Sequence, residues 1–377
     1  MLFWRAVNIF TFIYVFIFKL LLFSLGTFYI YSISGGDYVE HKLILGTHTS
    51  DNEPNHLCIA TVRLPTEDTE LDVRKYDEEK GELGGYGGSA AKVEISIRMN
   101  HEGEVNRARY CPQNPFLIAT KTPTGDVLIY DYSKHPTMPE KDDRTARPQV
   151  RCKGHDEEGY GLAWNPLETG QLLSGSDDRS LCIWDVNVGG SKASTTTSGT
   201  SNTGVGTSAS TSGNTNVASE LQPTMKIKSA HSEVIEDVAW HRFHKNLFAS
   251  VGDDRLLQIW DTRESVTSGS RMKVTAHNGD VMCVSFNPFA EYLVLTGGTD
   301  KVVKVWDTRQ LKTPSHTLAS HDDDVLGVQW APFNEAVCAS SGADRRVMIW
   351  DLSKIGQEQN EEDAEDGPPE LLVSIKI

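Results

Sequence analysis

The amino-acid sequence predicts an all-β fold of repeated four-stranded sheets, namely a β-propeller of about six blades. Three observations predict this fold. Five histidines each precede an aspartate by 30 residues, a hydroxyl residue recurs at one fixed position between them, and short β-rich runs separated by turn residues fill the intervals. The common register indicates five full repeats, and residues 41–97 are expected to form a partial first blade.

The markers of the repeat occupy the same positions in almost every unit. Each unit begins at a histidine, and these are His101, His155, His231, His277 and His321. A Ser or Thr follows the histidine by 19 residues in all five units. Four units have an aspartate 23 residues after the histidine, where the first unit has Thr124. A Trp precedes the last aspartate of four units, and Tyr130 takes that place in the first.

These residue types can satisfy one another's hydrogen bonds inside a blade. A buried indole N–H needs an acceptor, a buried imidazole needs a partner on each nitrogen, and a buried carboxylate needs donors. We interpret the markers as a structural network rather than a protease triad, because the set recurs from unit to unit and no nucleophile elbow accompanies it. The predicted network comprises His155, Ser174, Asp178, Trp184, His231, Ser250, Asp254, Trp260, His277, Thr296, Asp300, Trp306, His321, Ser340, Asp344 and Trp350.

The residues between the markers have the composition of short strands and tight turns. The runs 234–240, 247–251 and 256–260 are rich in Val, Leu and Ile. Gly252 and Asn287-Pro288 supply turn signals between such runs. Strands of this length suit blades that pack radially and leave few exposed sheet edges.

The composition favours a binding protein with basic partners. Asp and Glu number 52 against 36 Lys and Arg, which gives a formal charge of −16. Such a surface repels nucleic-acid phosphates and attracts basic peptides, although solubility alone also explains it. The six cysteines form no Cys-x-x-Cys pair, which favours reduced thiols in an intracellular protein. The sequence contains no metal, phosphate or cofactor motif, so we expect no cofactor.

The predicted domains are a hydrophobic N-terminal segment, residues 1–37, and a propeller, residues 38–377. Residues 1–33 are long enough to span a bilayer, but their Phe, Ile and Tyr content is also typical of translated non-coding sequence. Val373–Ile377 suggests read-through of a splice donor at the other end. Within the propeller we predict a disordered Ser/Thr/Gly-rich insertion at 189–219 and an acidic loop at 357–370.

Several segments resemble a known family of WD-repeat proteins. They read EHKLILGTHTS at 40–50, NHEGEVNRARY at 100–110, IATKT at 118–122, GYGLAW at 159–164 and EDAEDGPPELL at 362–372. On these segments the chain resembles the retinoblastoma-binding histone chaperones, over residues 38–372. The resemblance implies a seven-bladed WD40 propeller. The family's N-terminal helix and first strand, and its seventh blade, are expected to be absent here.

The resemblance also implies a function without enzymatic activity. Such proteins are shared scaffold subunits of chromatin assembly, histone deacetylase, nucleosome-remodelling and Polycomb methyltransferase complexes, and they bind histones H3 and H4. The expected location is the nucleus, and direct nucleic-acid binding is not expected.

A site for basic histone tails is expected at the mouth of the central channel. The position three residues after each repeat histidine is occupied by Glu104, Glu158, Val234, Asp280 and Asp324. Carboxylates there can hold an Arg or Lys side chain, although solvated acidic loops would have the same composition. By resemblance the tail site comprises Glu104, Asn106, Arg107, Glu158, Tyr160, Glu236, Asp253, Asp324 and Leu326.

A second family site receives the first helix of histone H4 between the N-terminal helix and the acidic loop. The loop residues are Glu361, Glu362, Asp363, Glu365 and Asp366. Because the helical half of the groove is expected to be missing, we predict weak H4 binding. Calorimetry with an H4 helix peptide tests this, and an affinity of about 1 μM or tighter would contradict it.

Two other functions compete with this interpretation. The segments Trp260-Asp-Thr-Arg263 and Trp306-Asp-Thr-Arg309 match the WDxR pattern of substrate receptors for cullin ubiquitin ligases, which bind the ligase adaptor. An arginine at that position also caps strands in many WD-repeat proteins. A membrane-tethered scaffold is favoured only if residues 1–33 are a genuine membrane segment.

Overall fold

The computed structural model describes residues 32–35, 38–49, 53–65, 93–187, 218–265, 269–360, 364 and 367–376. These residues form six separate sheets, in the arrangement of a six-bladed β-propeller. Five sheets have four strands and the second blade has five. The predicted fold class is therefore confirmed.

The first three blades hold the strands nearest the predicted tail site. Blade 1 contains β1 (Ser32–Gly35), β2 (Tyr38–Gly46), β3 (Asn55–Pro65) and β4 (Val93–His101). Blade 2 contains β5 (Arg107–Cys111), β6 (Asn114–Lys121), β7 (Val127–Asp131) and β8 (Val150–Cys152). Blade 3 contains β9 (Leu162–Trp164), β10 (Gln171–Gly175), β11 (Leu181–Asp185) and β13 (Met225–Ile227).

The last three blades repeat the same pattern with closely similar strand lengths. Blade 4 contains β14 (Ile235–Trp240), β15 (Leu247–Gly252), β16 (Leu256–Asp261) and β17 (Met272–Thr275). Blade 5 contains β18 (Val281–Phe286), β19 (Leu293–Gly298), β20 (Val303–Asp307) and β21 (His316–Leu318). Blade 6 contains β22 (Val325–Trp330), β23 (Val337–Gly342), β24 (Arg346–Asp351) and β25 (Leu371–Lys376).

Two sheets extend beyond the strands predicted from the sequence. Blade 1 is a four-stranded sheet between residues 32 and 101 rather than a partial blade from 41 to 97, because β1 pairs with β2. The end of the inserted segment adds β12 (Ser219–Leu221) in parallel to the edge strand β8. That strand covers an edge that would otherwise present unpaired backbone groups.

The ends of the chain carry predictions that the described residues reach only in part. Val373–Lys376, which we suspected of being read-through, lie within β25 and pair with β24. Residues 1–31 and 188–217 lie outside the described residues, as do all of the expected H4-loop carboxylates. Within the part of the chain that is described, no helix has both the length and the apolar content to cross a bilayer.

The core lies at the seams between neighbouring blades. Trp164 of blade 3 packs in one cluster with Ile129 of blade 2, and Trp240 of blade 4 packs with Leu173 of blade 3. Each fully buried aliphatic or aromatic side chain contributes about 1.5 to 3 kcal/mol by its removal from water. The seams therefore fix the blades radially and hold the loops at one end of the channel in register.

Short turns between the second and third strands of the blades adopt a left-handed backbone without glycine. Arg179, Arg255, Lys301 and Arg345 have φ between 60° and 68°. Three of them reach the next blade, where they donate to the carbonyls of Ser232, Asn278 and Asp322 respectively. These contacts tie the turns of one blade to the following histidine loop.

Candidate functional site

A buried hydrogen-bond network occupies the centre of blades 4, 5 and 6. In blade 4, His231 Nε2 lies 2.6 Å from Ser250 Oγ, and His231 Nδ1 lies 2.9 Å from Asp254 Oδ1. Trp260 Nε1 donates to the same Ser250 Oγ over 2.8 Å. Blades 5 and 6 repeat this geometry around Thr296 and Ser340.

Blade 3 departs from this arrangement. His155 Nε2 lies 3.0 Å from Ser174 Oγ and its Nδ1 lies 3.3 Å from Asp178. The indole of Trp184, however, donates to the carbonyl of Lys153 over 2.9 Å instead of to Ser174. The expectation that all four network residues satisfy one another therefore fails for Trp184, because Ser174 accepts a hydrogen bond from Lys121 of blade 2.

The network has the chemistry of a structural element. The hydroxyl residues Ser174, Ser250 and Ser340 are fully buried, so no substrate reaches them. Burial lowers the pKa of His155 to about 4, which keeps the imidazole neutral at pH 7. A neutral imidazole can donate from Nδ1 to the Asp178 carboxylate, and that bond holds the pKa of Asp178 below its usual range although burial opposes it.

Carboxylates from three blades converge around the hydroxyl of Tyr160 at the channel mouth. Burial, and then the charges of Glu158, Glu104, Asp177 and Glu236, raise the pKa of Tyr160. The Tyr160 side chain is 41% exposed and the five carboxyl and phenol groups share one end of the channel. The structure thus brings together four of the residues expected for the tail site, and adds Asp177.

Residues of blade 2 hold the two tail-site residues of blade 3. Asn106, which is buried, donates from Nδ2 to Glu158 Oε2 over 2.9 Å. Arg107 donates from Nε to the carbonyl of Tyr160 over 2.9 Å. Glu104 pairs with His48 of blade 1 at 2.5 Å. The seam between blades 2 and 3 is therefore a fixed wall of the site.

Two carboxyl groups on blade 4 contact each other. Burial, followed by the charges of Asp253 and Asp177, raises the pKa of Glu236 to about 7. Burial and the charge of Asp280 also raise the pKa of Asp253. Glu236 and Asp253 share a hydrogen bond, which requires a proton between them. A cationic side chain that entered the mouth would displace that proton and relieve the repulsion.

The channel below the mouth contains buried cations as well as a carboxylate. Burial and the charge of Arg107 lower the pKa of Arg109 to about 9, while Asp237 opposes this effect. Asp237 accepts a hydrogen bond from the backbone of Val284 over 3.1 Å. Because Arg109 repels a second cation, the arrangement favours a bound cation at the level of Glu236 and Glu158 rather than deeper in the channel.

Asp177 is the carboxylate that the sequence analysis overlooked. Its Oδ1 is buried and has no hydrogen-bond partner within the described residues. The repeat register carried a signal for it, since Asp177 immediately precedes the network aspartate Asp178 as Asp253 precedes Asp254. Lys121 has a weaker signal, because the equivalent position after the repeat hydroxyl is Gly175, Val251, Gly297 or Ser341.

The remaining predicted residues occupy other places. Asp324 and Leu326 lie at the corresponding position of blade 6, where Leu326 is 46% exposed. The loop carboxylates Glu361, Glu362, Asp363, Glu365 and Asp366 lie outside the described residues, so weak H4 binding stays a prediction. Within the described ranges, no group of three or more His, Cys, Asp or Glu residues is arranged to hold a metal ion.

The two WDxR arginines lie at the opposite end of the blades from the acidic mouth. Arg263 forms a two-pronged ion pair with Asp261, at 2.9 and 2.6 Å, and Arg309 does the same with Asp307, at 3.0 and 2.6 Å. Their side chains are 65% and 64% exposed. Each arginine therefore caps the strand end of its own blade and still presents a face to solvent.

Six packed sheets with a recurring His, hydroxyl and Asp network define the chain as a WD-repeat β-propeller protein. A family model described as a WD domain, G-beta repeat, matches residues 146–185, and one described as an EIPR1 beta-propeller matches residues 211–350. A third, whose description is the histone-binding protein RBBP4 of the CAF1 complex, matches residues 9–66. The chain belongs to the RBBP4-type family of WD-repeat histone chaperones.

The third match also bears on the N-terminal segment. It begins at residue 9, so it includes most of the hydrophobic segment 1–37, whereas the resemblance seen in the sequence began at residue 38. The origin of residues 1–8 and the membrane and read-through interpretations stay predictions.

Proposed function

We propose that this protein is a non-catalytic scaffold that binds the basic tail of histone H3 at the acidic channel mouth. The observation that carries the proposal is the convergence of Glu104, Glu158, Asp177 and Glu236 on Tyr160. Such a cluster has raised pKa values because the carboxylates repel one another, and an Arg or Lys side chain relieves that repulsion. Tyr160 supplies an apolar face beside the charge.

The family of the chain supports histones H3 and H4 as partners. It also supports a place in the nucleus and in chromatin assembly, deacetylase, remodelling and Polycomb-type complexes. In this proposal the acidic mouth receives one basic segment at a time, while the outer surfaces of the blades contact the other proteins of the complex.

The proposal is tested by fluorescence anisotropy with a labelled peptide of the H3 N-terminus. We expect saturable binding that weakens as salt rises, because exposed charges are screened over about 10 Å at 0.1 M salt. The control is the same peptide with every Arg and Lys replaced by Gln, which should not bind. Equal affinity for both peptides, or no binding of either, would overturn the proposal.

A second function is favoured by the exposure of Arg263 and Arg309 on adjacent blades. A substrate receptor of a cullin ubiquitin ligase would present these guanidinium groups to the ligase adaptor. Pull-down of the adaptor by the wild type and by the double variant Arg263→Ala/Arg309→Ala tests this function. Capture that the double variant retains in full would exclude it.

A further inference from the structure

Lys121, at the end of β6 in blade 2, is fully buried. Its ammonium group donates to Ser174 Oγ over 2.9 Å and to the carbonyl of Gly175, both on β10 of blade 3. Lysine is almost never fully buried unless it is paired, because its charge loses hydration. The position of Lys121 therefore needs a compensating role at the seam of these two blades.

This lysine takes the place of an indole in the blade 3 network. In blades 4, 5 and 6 a Trp side chain donates to the repeat hydroxyl. In blade 3 the indole of Trp184 is directed to Lys153, and Lys121 donates to Ser174 instead. Blade 3 is thus the one described blade with a Trp marker whose network contains a residue of its neighbour.

The loop that carries Glu158 and Tyr160 rests directly on this lysine. A Cβ added to Gly159 would lie 3.1 Å from Lys121 Nζ and 2.7 Å from Ser176 Cα, so only glycine fits between the two tail-site residues. Ser176 Oγ donates to the carbonyl of Glu158 over 2.5 Å. Lys121 therefore supports the loop from below while Asn106 and Arg107 hold it from the side.

The charges that face Lys121 come from several elements. They are Asp177 and Asp178 in the turn after β10, Cys182 on β11, His155 at the start of the blade 3 repeat and Arg107 on β5. Burial lowers the pKa of Lys121 to about 7, and the two aspartates oppose this effect. In turn Lys121 lowers the pKa of Asp177, against burial and the charge of Glu158.

We propose that Lys121 is a positioning residue for the tail site. Its buried ammonium fixes the Glu158–Tyr160 loop against blade 3 and favours the ionised form of the carboxylates at the channel mouth. This inference rests on the proposed function for its effect on tail affinity, whereas its effect on the loop is independent of any ligand.

The test compares Lys121→Met, which keeps most of the side-chain volume, with Lys226→Met as the matched control. Lys226 lies beside Asp156 and Asp178 on the outer strand β13 and does not contact the loop. Hydrogen–deuterium exchange of residues 157–161 is measured without ligand. The dissociation constant of the H3 peptide is measured from pH 6 to pH 8, with Glu158→Gln as a reference for loss of the site.

We expect faster exchange of residues 157–161 in Lys121→Met alone, and an affinity at least about fivefold weaker at pH 7. The pH at which affinity is half lost should rise, because carboxylates without the nearby cation need a higher pH to ionise. A packing defect alone would weaken binding equally at every pH.

Exchange in Lys121→Met that matches the wild type would overturn the inference, whether or not the peptide binds. An unchanged pH profile with weakened binding would overturn its electrostatic half. If the wild type binds no peptide while exchange in Lys121→Met is faster, the proposed function fails and the role of Lys121 in the loop stands.

Discussion

Asn106 and Glu158 join blades 2 and 3 at the channel mouth, where Asn106 Nδ2 donates to Glu158 Oε2 over 2.9 Å. The donor is buried and the acceptor faces the channel mouth, so the bond holds a carboxylate at the surface in one orientation. A carboxylate fixed before binding loses less conformational entropy when it pairs with a cation.

Asn106→Ala removes this bond without changing the net charge. We expect the affinity for a basic H3 peptide to fall by about three- to tenfold, because Glu158 becomes mobile. Anisotropy titration measures the change. Asn114→Ala, at the far end of β6, is the control and should bind as the wild type does, and an Asn106→Ala affinity equal to that of the control would show that the orientation of Glu158 is irrelevant.

Glu236→Gln should stabilise the fold in a pH-dependent way. The pKa of Glu236 is raised to about 7 in the folded protein, so its stabilising contribution is complete below its ordinary pKa and is lost as the pH rises through 7. At pH 8 the variant should therefore unfold with about 1 to 2 kcal/mol more free energy than the wild type. The two should be equal near pH 4.

Urea denaturation at both pH values measures the difference, and the same variant should bind the H3 peptide more weakly at pH 8. Glu335→Gln, on an exposed turn of blade 6, is the matched control. An equal gain in stability at pH 4 and pH 8 would refute the account of Glu236.

Ser250→Ala tests the buried network. The substitution leaves His231 Nε2 and Trp260 Nε1 without their common partner. Each buried unsatisfied group costs about 1 to 3 kcal/mol, so the free energy of unfolding should fall by about 2 to 4 kcal/mol. Urea denaturation measures it, and Ser320→Ala, an exposed residue, should change it by less than about 0.5 kcal/mol. A Ser250→Ala loss as small as that would rule out the network as a stabilising element.

Arg263→Ala and Arg309→Ala separate the two ends of the propeller. Because both guanidinium groups are exposed and pair with an aspartate of their own blade, each substitution should cost less than about 1 kcal/mol of stability. H3 peptide binding should not change, since the acidic mouth lies at the other end of the blades. Thermal unfolding and anisotropy measure the two effects, and loss of H3 affinity in either variant would contradict this separation.

Much of the fold could be predicted because the repeat is written in residue types that only burial explains. A His, a hydroxyl and an Asp at constant spacing predicted the blades. Blade 1 lacks these markers, and its extent was therefore underestimated: β1 pairs with β2 through backbone groups, which have no signature in the side chains.

The site could be predicted less completely, because its chemistry depends on contacts between blades. Nothing in the spacing of Lys121 and Ser174 shows that their side chains meet across a seam 53 residues apart. The redirection of Trp184 follows from that contact, so it could not be seen within one repeat. Asp177 could have been found from its register with Asp253.

The central claim is that carboxylates at the channel mouth bind a basic histone tail. Calorimetry with the H3 peptide tests it most directly on the double variant Glu104→Gln/Glu158→Gln, with Glu291→Gln/Glu335→Gln as a control of equal charge change. We predict an affinity at least about tenfold weaker for the first variant and unchanged for the control. Equal weakening in both variants would show that net charge alone attracts the peptide, and wild-type affinity in both would contradict the proposed site.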